Sequence, residues 1–218
     1  NYIEYLKNEN QPIKNFIEEF PDFNEYEENY DNILDIEEKA EVPEALTTYF
    51  QELAFLIRDE KITKRFDKDE LQNLIFDLES YILTKLYDKL FPSESIKDDI
   101  FFYKKCARLS FIKPHNVIPD KKLINENLLE NSIEYLNDID DKLSPIEKIQ
   151  SFGKVIQCVQ SSISFSSGNK ESGVDDILKP LVYIIIKSKP KNIFSNYQYC
   201  ELFLNSELAK RQYGVILT

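Results

Sequence analysis

At 218 residues the chain is long enough to bury a core of its own, and its 42% hydrophobic and 13% aromatic content with only four glycines suits helices and offers no glycine-rich phosphate loop. The net charge of −12 argues against nucleic acid and against electrostatic adhesion to anionic lipid, because both repel a negative surface over a Debye length; a basic or mixed protein partner fits better. No stretch reaches the roughly 18 apolar residues of a spanning helix, and the N-terminus lacks a signal-peptide layout, so a reducing cytosol is the expected compartment.

In chain order, Pro12 followed by Ile13, Phe16, Ile17 and Phe20 predicts a short amphipathic helix stopped by Pro21. Residues 22–41 hold nine Asp or Glu against Lys39 alone, a local −8. That composition predicts a charge-extended linker; the alternative is an acidic segment that folds back over a basic groove or recruits a basic partner, with Phe23, Tyr26, Tyr30, Ile33 and Leu34 as anchors. From Pro43 to Arg58 the positions Leu46, Tyr49, Phe50, Leu53, Leu56 and Ile57 form one apolar face of a helix. Asp67 and Glu70 form a predicted capping box that opens a second helix, whose Leu71, Leu74, Ile75, Leu78, Ile82, Leu86 and Leu90 keep one face until Pro92. The two are expected to pack as antiparallel neighbours. Helical periods follow over Ser95–Lys113 and from Asp120 to about Asn137, separated by a turn from Pro114 to Pro119.

Ser144-Pro145-Ile146-Glu147 is the strongest local signal, with serine as N-cap, proline at the first helical position and glutamate two residues on. Ile149, Phe152, Ile156, Val159 and Ile163 continue the stripe, and a serine-rich linker is expected from Ser161 to Gly173. Next come the carboxylates Asp175 and Asp176, Pro180, and an apolar run from Leu181 to Ile186. Periodicity alone does not separate helix from strand there, but a lone strand would leave its ladder groups unpaired, so a central helix buried on all sides is expected. Two Asp in a first turn complement the helix macrodipole, which is reason enough for them in a purely structural role. Pro180 removes an N–H and bends or opens the first turns. Cys106, Cys158 and Cys200 are far apart in apolar helical patterns and read as buried thiols; His115, between two prolines, has no partner for metal or acid–base work.

Four linked submotifs in this last stretch carry a resemblance: Val174-Asp175-Asp176-Ile177-Leu178, Leu181-Val182-Tyr183, Lys187-Ser188-Lys189-Pro190 and Ser195-Asn196-Tyr197-Gln198-Tyr199. In order and spacing they resemble the signature of the Vps-nine (vacuolar protein sorting nine) domain of Rab guanine-nucleotide exchange factors. The run from Leu78 to Phe91 is similar to the bundle helix that precedes that core, so the resemblance covers roughly residues 70–218. It implies an all-α protein: an N-terminal helix and acidic linker (1–41), a helical bundle (42–92) and a layered Vps-nine-like core (93–218). It also implies exchange on a Rab-family small GTPase of the early-endosomal subgroup, by a cytoplasmic protein recruited peripherally to endosomal membranes without inserting into them. No cofactor and no metal of its own is implied.

In that family the first Asp of the pair, matching Asp175, is an acidic finger aimed at the phosphate-binding loop of the GTPase. Asp176, Lys179, Pro180, Tyr183, Asn196, Val215 and Thr218 are then expected on the GTPase-facing surface, with Tyr183 and Asn196 equally at home in the core. Two departures stand out. The family's proline falls one residue earlier, at Lys179, and Val215 stands where the family has a partner-facing tyrosine. A non-catalytic adaptor that keeps the fold is the competing class. Beginning at Asn1 and holding no methionine, the chain is expected to be a fragment of a longer protein.

Overall fold

The computed structural model describes residues 42–59, 66–91, 95–118, 125–167 and 174–205, and every regular element among them is helical. The elements are α1 (Val42–Asp59), α2 (Lys68–Leu90), α3 (Ile96–Arg108), α4 (Pro114–Val117), α5 (Glu126–Asn137), a 3-10 turn (Asp138–Asp141), α6 (Pro145–Ser167), α7 (Val174–Ser188) and α8 (Ile193–Phe203). The protein is therefore all-α, and the apolar run in α7 is helix, not strand. The amphipathic stripe at 12–20, the acidic tract at 22–41, Val215 and Thr218 lie outside the described residues. The chain divides into two compact units, residues 1–89 and 90–218.

In the first unit, α1 buries Val42, Leu46, Leu53, Ala54 and Ile57, while Tyr49 and Phe50 stay half-buried with ring centroids 5.8 Å apart. The cap before α2 forms as the sequence predicts: Asp67 Oδ1 accepts from the N–H groups of Asp69 (2.9 Å) and Glu70 (2.8 Å), and Asp67 N–H donates back to Glu70 Oε2 (3.0 Å). Arg58 Nη2 donates to Gln72 Oε1 (3.0 Å), tying the end of α1 to the start of α2. Along α2 the buried surface is wider than the expected single face, since Phe76, Glu79, Ser80, Tyr81 and Leu83 are buried beside Leu74, Ile75, Leu78, Ile82 and Leu86.

In the second unit, α5, α6 and α7 meet along a core of Leu129, Leu136, Val155, Val159, Ile163, Tyr183 and Ile184, closed at its ends by Ile118 after α4 and by Ile139 of the 3-10 turn. Each such side chain contributes about 1.5–3 kcal/mol by leaving water. α8 lies on α6 and α3. The start of α6 is fixed by its own sequence: Ser144 Oγ accepts from Glu147 N–H (3.3 Å), and Glu147 Oε2 accepts from the hydroxyl (2.9 Å) and N–H (3.3 Å) of Ser144.

Three expectations change. The linker predicted from Ser161 begins later, because α6 runs through Ser167; Ser162 and Ile163 are buried, and small hydroxyl side chains fit the closely packed face. The Pro114–Pro119 turn contains a four-residue helix, whose start is held by Asn116 Oδ1 accepting from Lys113 N–H (2.8 Å). Finally, α7 is not buried on all sides: Leu178 is 50% and Val182 47% exposed, because the described helices that pack on it, α3, α4, α5 and α6, leave that face uncovered. Cys106 and Cys200 are buried free thiols, and Cys158 is half-buried and free.

Candidate functional site

α7 opens with Asp175 and Asp176 near the four N–H groups that every helix leaves without intrahelical acceptors, so both carboxylates favour a helix beginning here. Helical register places Asp175, Leu178, Lys179 and Val182 on one face, at i, i+3, i+4 and i+7. The described members of that set, Leu178, Lys179 and Val182, are exposed. The side chain of Asp175 itself lies outside the described residues. Asp176, about 100° further round the helix, is half-buried and engaged with a neighbouring group. By position along the helix, residue 175 is in register with the outward stripe and residue 176 lies on its flank.

Pro180 is buried, and without an N–H it leaves the carbonyl of Asp176 without its usual intrahelical donor. The helix continues to Ser188 nonetheless, carried by the buried side chains of Tyr183, Ile184 and Ile186. It ends on a left-handed residue: Lys189 has φ 49°, and its N–H donates to the Ile185 carbonyl (3.1 Å). Pro190 then blocks any further turn. The Lys-x-x-Pro submotif is thereby a helix stop, and its first lysine, Lys187, places Nζ 5.6 Å from the Tyr183 ring centroid and donates to the Ser110 carbonyl (2.8 Å).

Tyr183 and Asn196, expected either in the core or at an interface, are both core side chains. Burial pushes the Tyr183 phenol above its ordinary value, helped by Glu126 and Glu130 of α5. Asn196, 1% exposed, donates Nδ2 to Asp140 Oδ1 (2.7 Å), and its Oδ1 has no partner among the described residues. Its neighbours in the submotif are held in the same way. Ser195 Oγ donates to Asp99 Oδ2 (2.6 Å), Gln198 Oε1 accepts from Ser95 Oγ (2.8 Å), and Tyr199 Oη donates to the Leu143 carbonyl (3.2 Å).

Sequence reasoning missed the residue that starts α8. Asn192 makes no side-chain cap, and the buried carboxylate of Asp99, far back in α3, accepts instead from the N–H groups of Phe194 (2.7 Å) and Ser195 (3.3 Å). A tertiary N-cap of this kind leaves no mark in local spacing. Also missed was Lys148, fully buried in α6, whose Nζ donates to the Ile139 carbonyl (3.0 Å) and stands 5.3 Å from the centroid of Phe91. Burial lowers its amine to about 8, against the pull of Cys200, Asp140, Glu147 and Asp141. Burial likewise pushes the Cys200 thiol up to about 12, tempered by Lys148. Val182 falls in the run expected to be buried and Leu178 was given no role; their spacing around Lys179 was the available signal.

Fold and site together define an all-α core that presents Leu178, Lys179 and Val182 on one exposed helix face and buries Tyr183, Ser195, Asn196 and Tyr199 of the same motif. Residues 129–218 match the family described as the vacuolar sorting protein 9 (VPS9) domain. Among curated proteins, the chain is 26% identical over 185 residues to the Rab5 GDP/GTP exchange factor of Bos taurus, covering 81% of this chain and 36% of that protein. It is 26% identical to vacuolar protein sorting-associated protein 9A of Arabidopsis thaliana, over 71% of this chain and 31% of the relative. With receptor-mediated endocytosis protein 6 of Caenorhabditis briggsae the identity is 22%, over 79% and 16%. The chain is similar to the VPS9 domain family, and it spans about a third or less of the length of these relatives.

Proposed function

We propose that this chain is a guanine-nucleotide exchange module for an endosomal Rab-family GTPase, with Asp175 as its acidic finger. The observation that carries the reading is the stripe of Leu178, Lys179 and Val182, exposed on α7 in register with Asp175 at its first turn. Relatives named as Rab5 exchange factors support the same assignment. Exchange requires no covalent chemistry. A GTPase holds its nucleotide phosphates with a lysine and Mg²⁺; a carboxylate that pairs with that lysine replaces the phosphate charge, while the apolar surface holds the switch regions apart. Nucleotide and metal then lose affinity together, because the exchange factor binds the nucleotide-free state best. Leu178 and Val182 supply the apolar surface, and Lys179, where the family has proline, adds a charge at its centre.

In this reading Pro180, Tyr183 and Asn196 act on the GTPase indirectly, by holding α7 and α8 in place, and Asp176 supports the first turn from the flank. Val215 and Thr218 belong to the partner-facing surface by motif position. The protein works in the cytoplasm, at endosomal membranes to which it is recruited. A second reading is favoured by Val215 in place of tyrosine: a Rab-binding adaptor that keeps the fold and leaves nucleotide bound. Release of fluorescent GDP from a panel of Rab proteins, Rab5 included, separates the two. Accelerated release from any of them supports exchange; binding to a Rab with unchanged release supports the adaptor.

A further inference from the structure

The charge of this chain is unevenly spread. Residues 1–41 hold thirteen Asp or Glu against three Lys, whereas residues 90–218 hold seventeen Lys or Arg against sixteen Asp or Glu. Residues 90–218 are thus close to neutral, and the total of −12 is carried by the residues before them, so the sign of the total does not give the sign of a local face of the second unit.

On that unit the outward side of α3 carries Lys97, Lys104 and Arg108 at i, i+7 and i+11, all exposed, and no described residue pairs with any of them. Interleaved with them are Ile100, Phe101 and, just past the helix, Phe111. Phe101 is 64% and Phe111 76% exposed, so most of each ring stands clear of the protein. Lys105 Nζ lies 5.3 Å from the Phe101 ring centroid. Of the two acids on this helix, Asp99 is buried under the N-terminus of α8, and Asp98 falls by register about 100° from the basic row. The opposite side is anchored: Cys106 is buried, and Phe102 meets Phe194 edge-on at 5.5 Å.

We propose that this face of α3, with Phe111, is a docking surface for an anionic bilayer. Cations gain from a negative headgroup layer, and large side chains that protrude from a convex helix enter the headgroup and acyl boundary as knobs. A peptide partner would instead need walls to lie between, and rings this exposed form none. The adsorption is peripheral, since no helix among the described residues is long and apolar enough to cross a membrane. The geometry also leaves the other end of the core free. Lys187, at the far end of α7 from Asp175, bonds the Ser110 carbonyl beside this face, and the twelve intervening helical steps span about 18 Å. The inference stands independently of exchange activity.

The test is co-sedimentation of the whole chain with phosphatidylcholine vesicles, with and without phosphatidylserine, at physiological salt. Binding to the anionic vesicles alone is expected, weakening as salt rises. Neutralising Lys97→Gln, Lys104→Gln and Arg108→Gln should lower partitioning about fivefold for each cation, roughly a hundredfold together. Phe101→Ser with Phe111→Ser should lower it while keeping the salt dependence. The exchange of Lys97 and Lys104 for Arg should preserve binding, which keeps the test decisive if the neutral variant folds poorly. Indifference of the wild type to anionic vesicles overturns the proposal, as does full binding by a folded triple-Gln variant. If vesicles are ignored but polyglutamate binds and the triple variant loses it, the face is a protein site and the membrane assignment is wrong.

Discussion

In the first turns of α7 the motif sets Leu178, Lys179 and Val182 outward in register with Asp175; in the first turns of α8 the same signature directs Ser195, Asn196 and Tyr199 inward, each onto a named acceptor. Both stretches mix polar and apolar residues at helical spacing, and both belong to one family signature. Burial separates them. Around α8 a polar group removed from water must find a partner, and Asp99, Asp140 and the Leu143 carbonyl supply it. Along the α7 stripe the apolar groups have no such covering among the described residues, and an apolar face left in water next to a carboxylate is what a partner can use. Membership in one motif therefore says little about whether a residue binds or braces.

The contrast would break first at Asp175. Asp175→Ala should slow GDP release from a responsive Rab on the order of a hundredfold or more, as expected on removing a preorganised charge, while changing stability by no more than about 1 kcal/mol. Stopped-flow release and a denaturation midpoint measured on the same sample check both halves; a destabilised variant, or one still fully active, would move Asp175 to the bracing class. At the other pole, Asp99→Ala strips the cap from two N–H groups and a hydroxyl at once. A loss of about 2–4 kcal/mol in guanidine unfolding is expected, with release per folded molecule little changed.

Smaller effects sharpen the same line. Val215→Tyr, which puts the family's aromatic residue back at its motif position, should speed release about 5- to 30-fold if the chain exchanges nucleotide, and alter only affinity if it is an adaptor. Stability should also depend on pH through Lys148 and Cys200 beneath α8. With its folded value near 8, below the ordinary 10.5, Lys148 is protonated more readily in the unfolded chain, so stability rises as pH climbs above 8. Cys200 acts in the opposite direction from its ordinary 9 up to about 12. Unfolding free energies should thus increase by about 1 kcal/mol or somewhat less between pH 8 and 9, stay nearly level to about 10.5 and fall above it, and Lys148→Met should remove the rise. The smallest change is at the helix stop: Lys189→Gly relieves a left-handed backbone at φ 49° and should raise the melting midpoint by the equivalent of about 0.5–1 kcal/mol.

What the sequence by itself determined is local. The helices over 42–59 and 68–90 and the start of the one that opens at Pro145 follow from apolar residues recurring every three or four positions, and the caps at Asp67 and Ser144 follow from partners three residues apart, near enough to meet in any helical chain. The order of the four submotifs was equally legible, because it is a matter of spacing. The tertiary structure decided whatever depends on chain segments meeting from far apart. Asp99 caps a helix some 95 residues downstream, Lys148 is buried because α6 turns it toward Phe91 and the 3-10 turn, and Asn196 finds Asp140 across 56 positions. The same holds for what stays outside. Leu178 and Val182 are hydrophobic like Ile184, and they stay exposed because no described helix packs over their side of α7. Hydrophobicity says that a side chain gains by burial, and packing decides which ones find a neighbour.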